Sequence, residues 1–292
     1  MAPTLILGAG GMLGGAFVRL LGDAALTASR GDLDVADIHA LERRVAGSGA
    51  ALVVNCAAHT DVDGAEGDPA PALVVNALLP GIVAVACRRA GIPLVHLSST
   101  GCYGAWKDGA YTEEDAPRPT TAHHRSKLSG EAAVREAGAE HLIVRTGWLF
   151  GGAADGPKNF VWKRIVEAAG TPRMTSDATQ RGNPTLVDDL ARQVLHAVHR
   201  GACGTVNAVS RGQASRFDYV RRIVAATGLP CAVDPSTTPF TRPAPVSPNE
   251  TAVNGRLGLL GLDIMPDWET AVDDYVAQLR RSPQWADLRK NA

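Results

Sequence analysis

Thr4-Leu5-Ile6-Leu7-Gly8-Ala9-Gly10-Gly11-Met12-Leu13-Gly14-Gly15 is the stretch on which the fold turns. Thr4–Leu7 is a short aliphatic run that reads as a strand, and Met12–Leu21 carries a helical pattern, with glycines between them. Gly8, Gly11 and Gly14 fit G-x-x-G-x-x-G, a variant of the dinucleotide fingerprint. Without a Cβ the backbone can approach a pyrophosphate, whose charge then sits on the helix N-terminus beside Met12 and Leu13. A tight strand-to-helix turn also wants glycine for its own sake. Position at the head of a βαβ series favours the nucleotide.

That series continues outward. Further strands are expected at Ala25–Ala28, Ala51–Asn55, Pro93–Leu97 and Leu142–Arg145, separated by helical patterns near Ile38–Ala46, Ala72–Ala90 and Ser126–Ala137. The strands are continuously apolar rather than alternating, so they are buried on both faces. The expected fold is therefore α/β, a Rossmann-like doubly wound parallel sheet with a smaller C-terminal substrate lobe. Residues 1–147 form the nucleotide-binding domain in this reading. Residues 148–292 form mainly the lobe, with 186–210 returning to the first domain through a helix at Leu186–Val198 and a strand at Thr205–Ala208. Helices are also expected at Phe160–Ala169 and Trp268–Leu279. Prolines 235, 239, 243, 245 and 248 mark an extended segment.

Composition closes off other classes. Over 292 residues, 45% hydrophobic and 20% charged residues describe a folded chain rather than a disordered one. The net charge of −1 supplies no field for nucleic acid or an anionic membrane, so neither is an expected partner. No uninterrupted apolar run approaches the roughly 18–20 residues of a membrane helix. The N-terminus lacks the basic start of a signal peptide, and a cytoplasmic location is expected. Five widely spaced cysteines without a Cys-x-x-Cys suggest reduced thiols and no metal site.

The nucleotide end has further candidates. Arg30 follows the second strand, where an arginine can pair with the 2′-phosphate of NADP, although a solvated loop arginine reads the same way. Asp34 is offered to the adenine, or else caps the next helix. Ala57 and Ala58, after the third strand, leave room for the ribose-phosphate.

Longer strings carry a resemblance. Asn55-Cys56-Ala57-Ala58-His59-Thr60-Asp61-Val62-Asp63-Gly64-Ala65-Glu66, Val75-Asn76-Ala77, Arg145-Thr146-Gly147-Trp148-Leu149-Phe150-Gly151, Asn159-Phe160, Gln180-Arg181-Gly182-Asn183-Pro184-Thr185 and Thr241-Arg242-Pro243 occur in one order. In that order they resemble the extended short-chain dehydrogenase/reductases, within them the dTDP-4-dehydrorhamnose reductases and their deoxysugar relatives. The resemblance implies NADPH (or NADH) as cofactor and a nucleotide-linked 4-keto-6-deoxysugar as substrate. It leaves a homodimer open.

It also implies site residues. Ser99 falls on the Ser/Thr that polarises the ketone, and Lys127 on the lysine that holds the nicotinamide ribose. Thr100, Tyr103, Trp148, Asn159, Gln180 and Arg242 fall where the family contacts the sugar nucleotide. Two departures alter the sugar site, Thr100 for Asp and Gly101 for Tyr or Glu. A third touches the chemistry: the tyrosine four residues before Lys127 is His123. Positions i and i+4 share a helix face, so His123 and Lys127 still point into one site. An imidazole with an ordinary pKa near 6.5 beside an ammonium is mostly neutral at pH 7, a poor proton source. Three readings follow: a reductase whose proton comes from Tyr103, His124 or water; an epimerase or dehydrogenase using His123; or a nucleotide-binding regulatory module without catalysis.

Overall fold

Strands apolar at every position need cover on both faces, and the main sheet has it. The computed structural model describes residues 2–238 and 240–291, apart from the side chains of Arg30 and Asn291. The sheet strands are β1 (Thr4–Leu7), β2 (Ala25–Ala28), β3 (Leu52–Asn55), β4 (Leu94–Ser99), β5 (His141–Thr146) and β6 (Gly204–Asn207). All pair in parallel, in the order β2-β1-β3-β4-β5-β6. The covering helices are α1 (Met12–Leu21), α2 (Ile38–Ala46), α3 (Ala70–Ala90), α4 (Ala122–Ala137) and α5 (Val187–His199).

Alternate side chains of each strand enter opposite cores. Ile6, Val54, Val95 and Val144 join Leu13 and Phe17 of α1 and Leu190 and Val194 of α5. Leu5, Leu7, Val53, Leu94 and Ile143 join Leu41, Val83 and Val134 from α2, α3 and α4. Each such aliphatic side chain contributes about 1.5–3 kcal/mol by leaving water. Chain order reverses about β1, so the carboxyl ends of β1 and β3 border the crevice in which doubly wound sheets bind ligands.

A further core gathers Phe150, Ile165, Tyr219, Val220, Trp268 and Tyr275. Its helices are Phe160–Gly170, Arg216–Thr227 and Trp268–Leu279, flanked by a two-stranded parallel sheet of Arg173–Asp177 and Ala232–Ser236. The helix at Arg216–Thr227 was not among the expected elements. Its signal is a capping box: Ser215 Oγ accepts the Asp218 amide at 3.0 Å, and Asp218 accepts the Ser215 amide at 3.2 Å. Pro235 lies within a strand rather than an irregular segment, which a two-stranded sheet edge tolerates. The first core also takes Leu257 and Leu262.

The run Ala70–Ala90 departs from the expectation for membrane segments. As one continuous helix it is long and apolar enough to span a bilayer by length and composition. Here Leu79, Val83, Ala84 and Cys87 are buried in the fold, whereas Leu73 and Leu78 are exposed. Val74–Leu78 within it forms a π turn, a distortion often found at functional sites.

Candidate active site

The glycine cradle is set by contacts too close for side chains. Gly8 has φ +77°, and a Cβ there would lie 2.8 Å from Ala57 N. A Cβ on Gly14 would lie 2.2 Å from Gly8 O. The Gly8 amide donates to Ala28 O at 3.0 Å, which ties the loop to the end of β2. Gly11 caps α1 with no side chain on the first amides, and no acidic residue stands in the first turn. Met12 and Leu13 thus open a helix end suited to an anion, next to Ala57 and the half-buried Ala58. This cradle fits the pyrophosphate of a dinucleotide.

Of the two polar candidates nearby, Arg30 has a side chain outside the described residues. The Asp34 carboxylate accepts the Ala36 amide at 2.9 Å, while Asp37 is the residue that caps α2. Asp34 is therefore a turn residue, and the capping alternative is corrected by three positions.

The segment expected to carry the chemistry lies at the carboxyl end of β4 and the start of α4. Lys127 is buried, and its Nζ donates to Leu97 O at 2.6 Å. Burial pulls its pKa below the usual lysine value, against the opposing pull of Cys102, Glu131 and Cys56. Ser99 Oγ accepts the Gly101 amide at 3.2 Å, which leaves the hydroxyl proton unused. Asn76, in the π turn, bonds both backbone groups of His59 and the Ser126 hydroxyl at 2.9–3.0 Å. Ser126 Oγ in turn donates to His123 O at 2.7 Å. The α3 distortion thereby registers α4 against the loop after β3. Below this, Glu131 accepts from Ser98 Oγ at 2.6 Å and from Arg145 at 2.9 and 2.7 Å. Burial would raise the Glu131 pKa, but Arg145, with the hydrogen bonds of Ser98 and Arg135, holds the carboxyl below its ordinary value.

The two histidines differ. Burial, then His124, Lys127 and His59, push His123 down to about 3, and its Nδ1 has no partner. Burial, then Lys127 and Arg242, push His124 down to about 4. His124 Nδ1 lies 3.0 Å from Thr121 Oγ1. Its ring occupies the space left by Gly101, where a Cβ would lie 2.1 Å from His124 Cε1.

A cavity of about 370 Å³ opens beside this segment. Ser99, Thr100 and His124 line it, and His123 does not. Trp148, Gln180, Arg216, Arg242 and Glu250 also line it, with Phe160 and Tyr219. Trp148 holds φ +47°, the one positive value among described non-glycine residues. Glu250 fixes it by accepting from Nε1 at 2.8 Å, the Arg216 guanidinium lies 3.5 Å from its ring centroid, and Gly182 leaves space for the indole. Burial raises the Glu250 carboxyl above its ordinary pKa, while the Trp148 bond and the two arginines oppose this.

The structure thus brings Ser99, Thr100, Trp148, Gln180 and Arg242 together around one cavity, with Lys127 behind. Two residues expected at the sugar site lie outside the lining of this cavity. Tyr103 is fully buried, stacked on Tyr111, and its hydroxyl donates to Asn207 at 2.8 Å. Asn159 caps the helix Phe160–Gly170 and donates to Ala153 O and the Tyr275 hydroxyl at 2.9 and 2.6 Å. Neither lines the cavity, and their polar atoms are satisfied inside the protein. Arg242 has its anion within the chain, since it grips the Asp63 carboxylate at 2.9 and 2.8 Å. Arg216 and Glu250 were not anticipated. Arg216 contacts Gln180 Oε1 at 3.2 Å and makes no ion pair among the described residues.

Known proteins are similar over almost the whole chain. The family described as the RmlD substrate binding domain matches residues 1–281. The dTDP-4-dehydrorhamnose reductase of Mycolicibacterium smegmatis is 37% identical, over 95% of this chain and 86% of that protein. The crystal structure of a dTDP-4-dehydrorhamnose reductase from Clostridium acetobutylicum superimposes with a TM-score of 0.90 at 31% identity, covering 95% and 99% of the two chains. That of the Bacillus anthracis dTDP-4-dehydrorhamnose reductase in complex with NADP does so with a TM-score of 0.89 at 28% identity and the same coverage.

Proposed function

The chain belongs to the RmlD substrate binding domain family, and from that premise we propose that it is an NADPH-dependent reductase of a dTDP-linked 4-keto-6-deoxysugar. The observation that carries this reading is the adjacency of the glycine cradle, the buried Lys127 and a cavity walled by Ser99 and by Trp148 with Arg216. The bound dinucleotide supplies the hydride.

The chain's own residues do the rest. Gly8, Gly11 and Gly14 admit the pyrophosphate to the start of α1. Lys127 spends one donor on Leu97 O and keeps two for ribose hydroxyls. Ser99, already accepting from Gly101, turns its proton to the keto oxygen. Trp148, stacked under Arg216, and Phe160 line the cavity where the base or sugar is held. Arg216, with no carboxylate of its own, takes the diphosphate, and Gln180 orients it. In this reading residues 1–147 and 186–210 hold the nucleotide, the remainder of 148–292 holds the sugar, and the enzyme works in the cytoplasm.

The test is direct. Purified protein is mixed with NADPH and a dTDP-4-keto-6-deoxyhexose while the absorbance of reduced nicotinamide is followed. Oxidation in step with loss of ketosugar is expected. No oxidation with any dTDP-ketosugar, together with no calorimetric affinity for NADPH, overturns the reading.

A further inference from the structure

We propose that His124, rather than His123, is the imidazole that meets the substrate, its Nε2–H donating to the keto oxygen beside Ser99. The inference rests on the reductase reading above and deepens it. His124 lines the cavity with Ser99, whereas His123 does not. The tip of the His124 ring lies against Gly101, since a Cβ on that residue would be 2.1 Å from Cε1 and 2.2 Å from Nε2. The Gly101 amide bonds Ser99 Oγ at 3.2 Å, so the ring tip and the serine hydroxyl flank one peptide.

Thr121 sets the tautomer. In this assignment Thr121 Oγ1 accepts the His124 amide at 3.1 Å and donates its own proton to Nδ1, 3.0 Å away. The ring proton is left on Nε2, which has no hydrogen-bond partner among the described residues. Lys127, Arg242 and His123 face the ring with positive or neutral groups, and Glu66 is the carboxylate that opposes them. A neutral imidazole results, a donor that stabilises a developing alkoxide without surrendering its proton. In the reduction the carbonyl carbon gains hydride with its electron pair, the π pair moves to oxygen, and water supplies the proton that completes the hydroxyl.

The experiment compares kcat of the wild type, His124→Ala, His124→Gln, His123→Ala, Gly101→Ala and the His124→Ala/Gly101→Ala double variant, each checked by thermal melting. Loss of one oxyanion donor lowers kcat about 10²-fold in His124→Ala. His124→Gln, whose amide N–H replaces Nε2–H, recovers about tenfold of that. Gly101→Ala displaces the ring and lowers kcat alone, but adds nothing in the His124→Ala background. Retention of kcat in His124→Ala with a hundredfold loss in His123→Ala overturns the assignment. Imidazole ¹⁵N spectra provide a readout independent of turnover: His124 is expected as the neutral Nε2–H form at pH 7, shifted on adding dTDP-rhamnose. If the wild type fails to reduce any ketosugar, the reductase reading falls. The spectra still decide His124, because an unmoved resonance overturns its contact with the sugar nucleotide.

Discussion

Three histidines are held neutral by burial at or beside the site: His96 at about 3, His123 at about 3 and His124 at about 4. In the unfolded chain each titrates near 6.5. Below that pH the unfolded state binds protons that the folded state refuses. Their contribution is therefore complete above about 6.5 and is lost as pH falls, down to about 4 for His124 and about 3 for His96 and His123, at about 1.4 kcal/mol per pH unit for each histidine. Thermal unfolding midpoints are expected to be level from about pH 8 to 7 and to drop steadily below about pH 6; a level midpoint down to about pH 4.5 contradicts this. At this scale the site was partly legible. Ser99, Lys127 and Trp148 stand in motifs whose neighbours fix their place. Tyr103 and Asn159 stand in motifs too, yet their partners Asn207 and Tyr275 lie more than a hundred residues away in sequence and draw them into the interior. Arg216 and Glu250 have no local signature, because only tertiary folding brings them to Trp148.

Helix α4 is the element on which the site depends, and Glu131 is its anchor to β4 and β5. Glu131→Ala leaves Arg145 buried without its carboxylate, and breaking such a pair costs about 3–5 kcal/mol. Urea unfolding at neutral pH should show that loss, and an unchanged midpoint speaks against the anchor. Elements bounded by glycine or a capping aspartate were read to the residue: Thr4–Leu7, Met12–Leu21 and Ile38–Ala46. The start of α4 was not, because apolar periodicity begins after its true cap. Thr121 caps it five residues before the expected Ser126. The helix Arg216–Thr227 has its one local signal in Ser215-x-x-Asp218, a capping box whose third position is Asp rather than the usual Glu or Gln.

Across the whole molecule, Arg242 and Asp63 bond segments 179 residues apart. Both are partly exposed, so Asp63→Asn is expected to change stability by less than about 1 kcal/mol. Its larger effect is on KM for the sugar nucleotide, expected to rise about three- to tenfold as Arg242 loses its fixed position at the cavity rim. Steady-state kinetics and melting on one preparation separate the two effects, and a KM unmoved within error contradicts the positioning role. The sheet core draws Val187, Leu190 and Val206, then Leu257 and Leu262, from a chain that visits the other core before, between and after. The two halves are laced together rather than joined end to end, so a protease nick at the midpoint would not release two folded fragments. Residues 1–147 expressed alone would expose the flank of β5 and the face that α5 covers, and should aggregate unless 148–292 is supplied in trans.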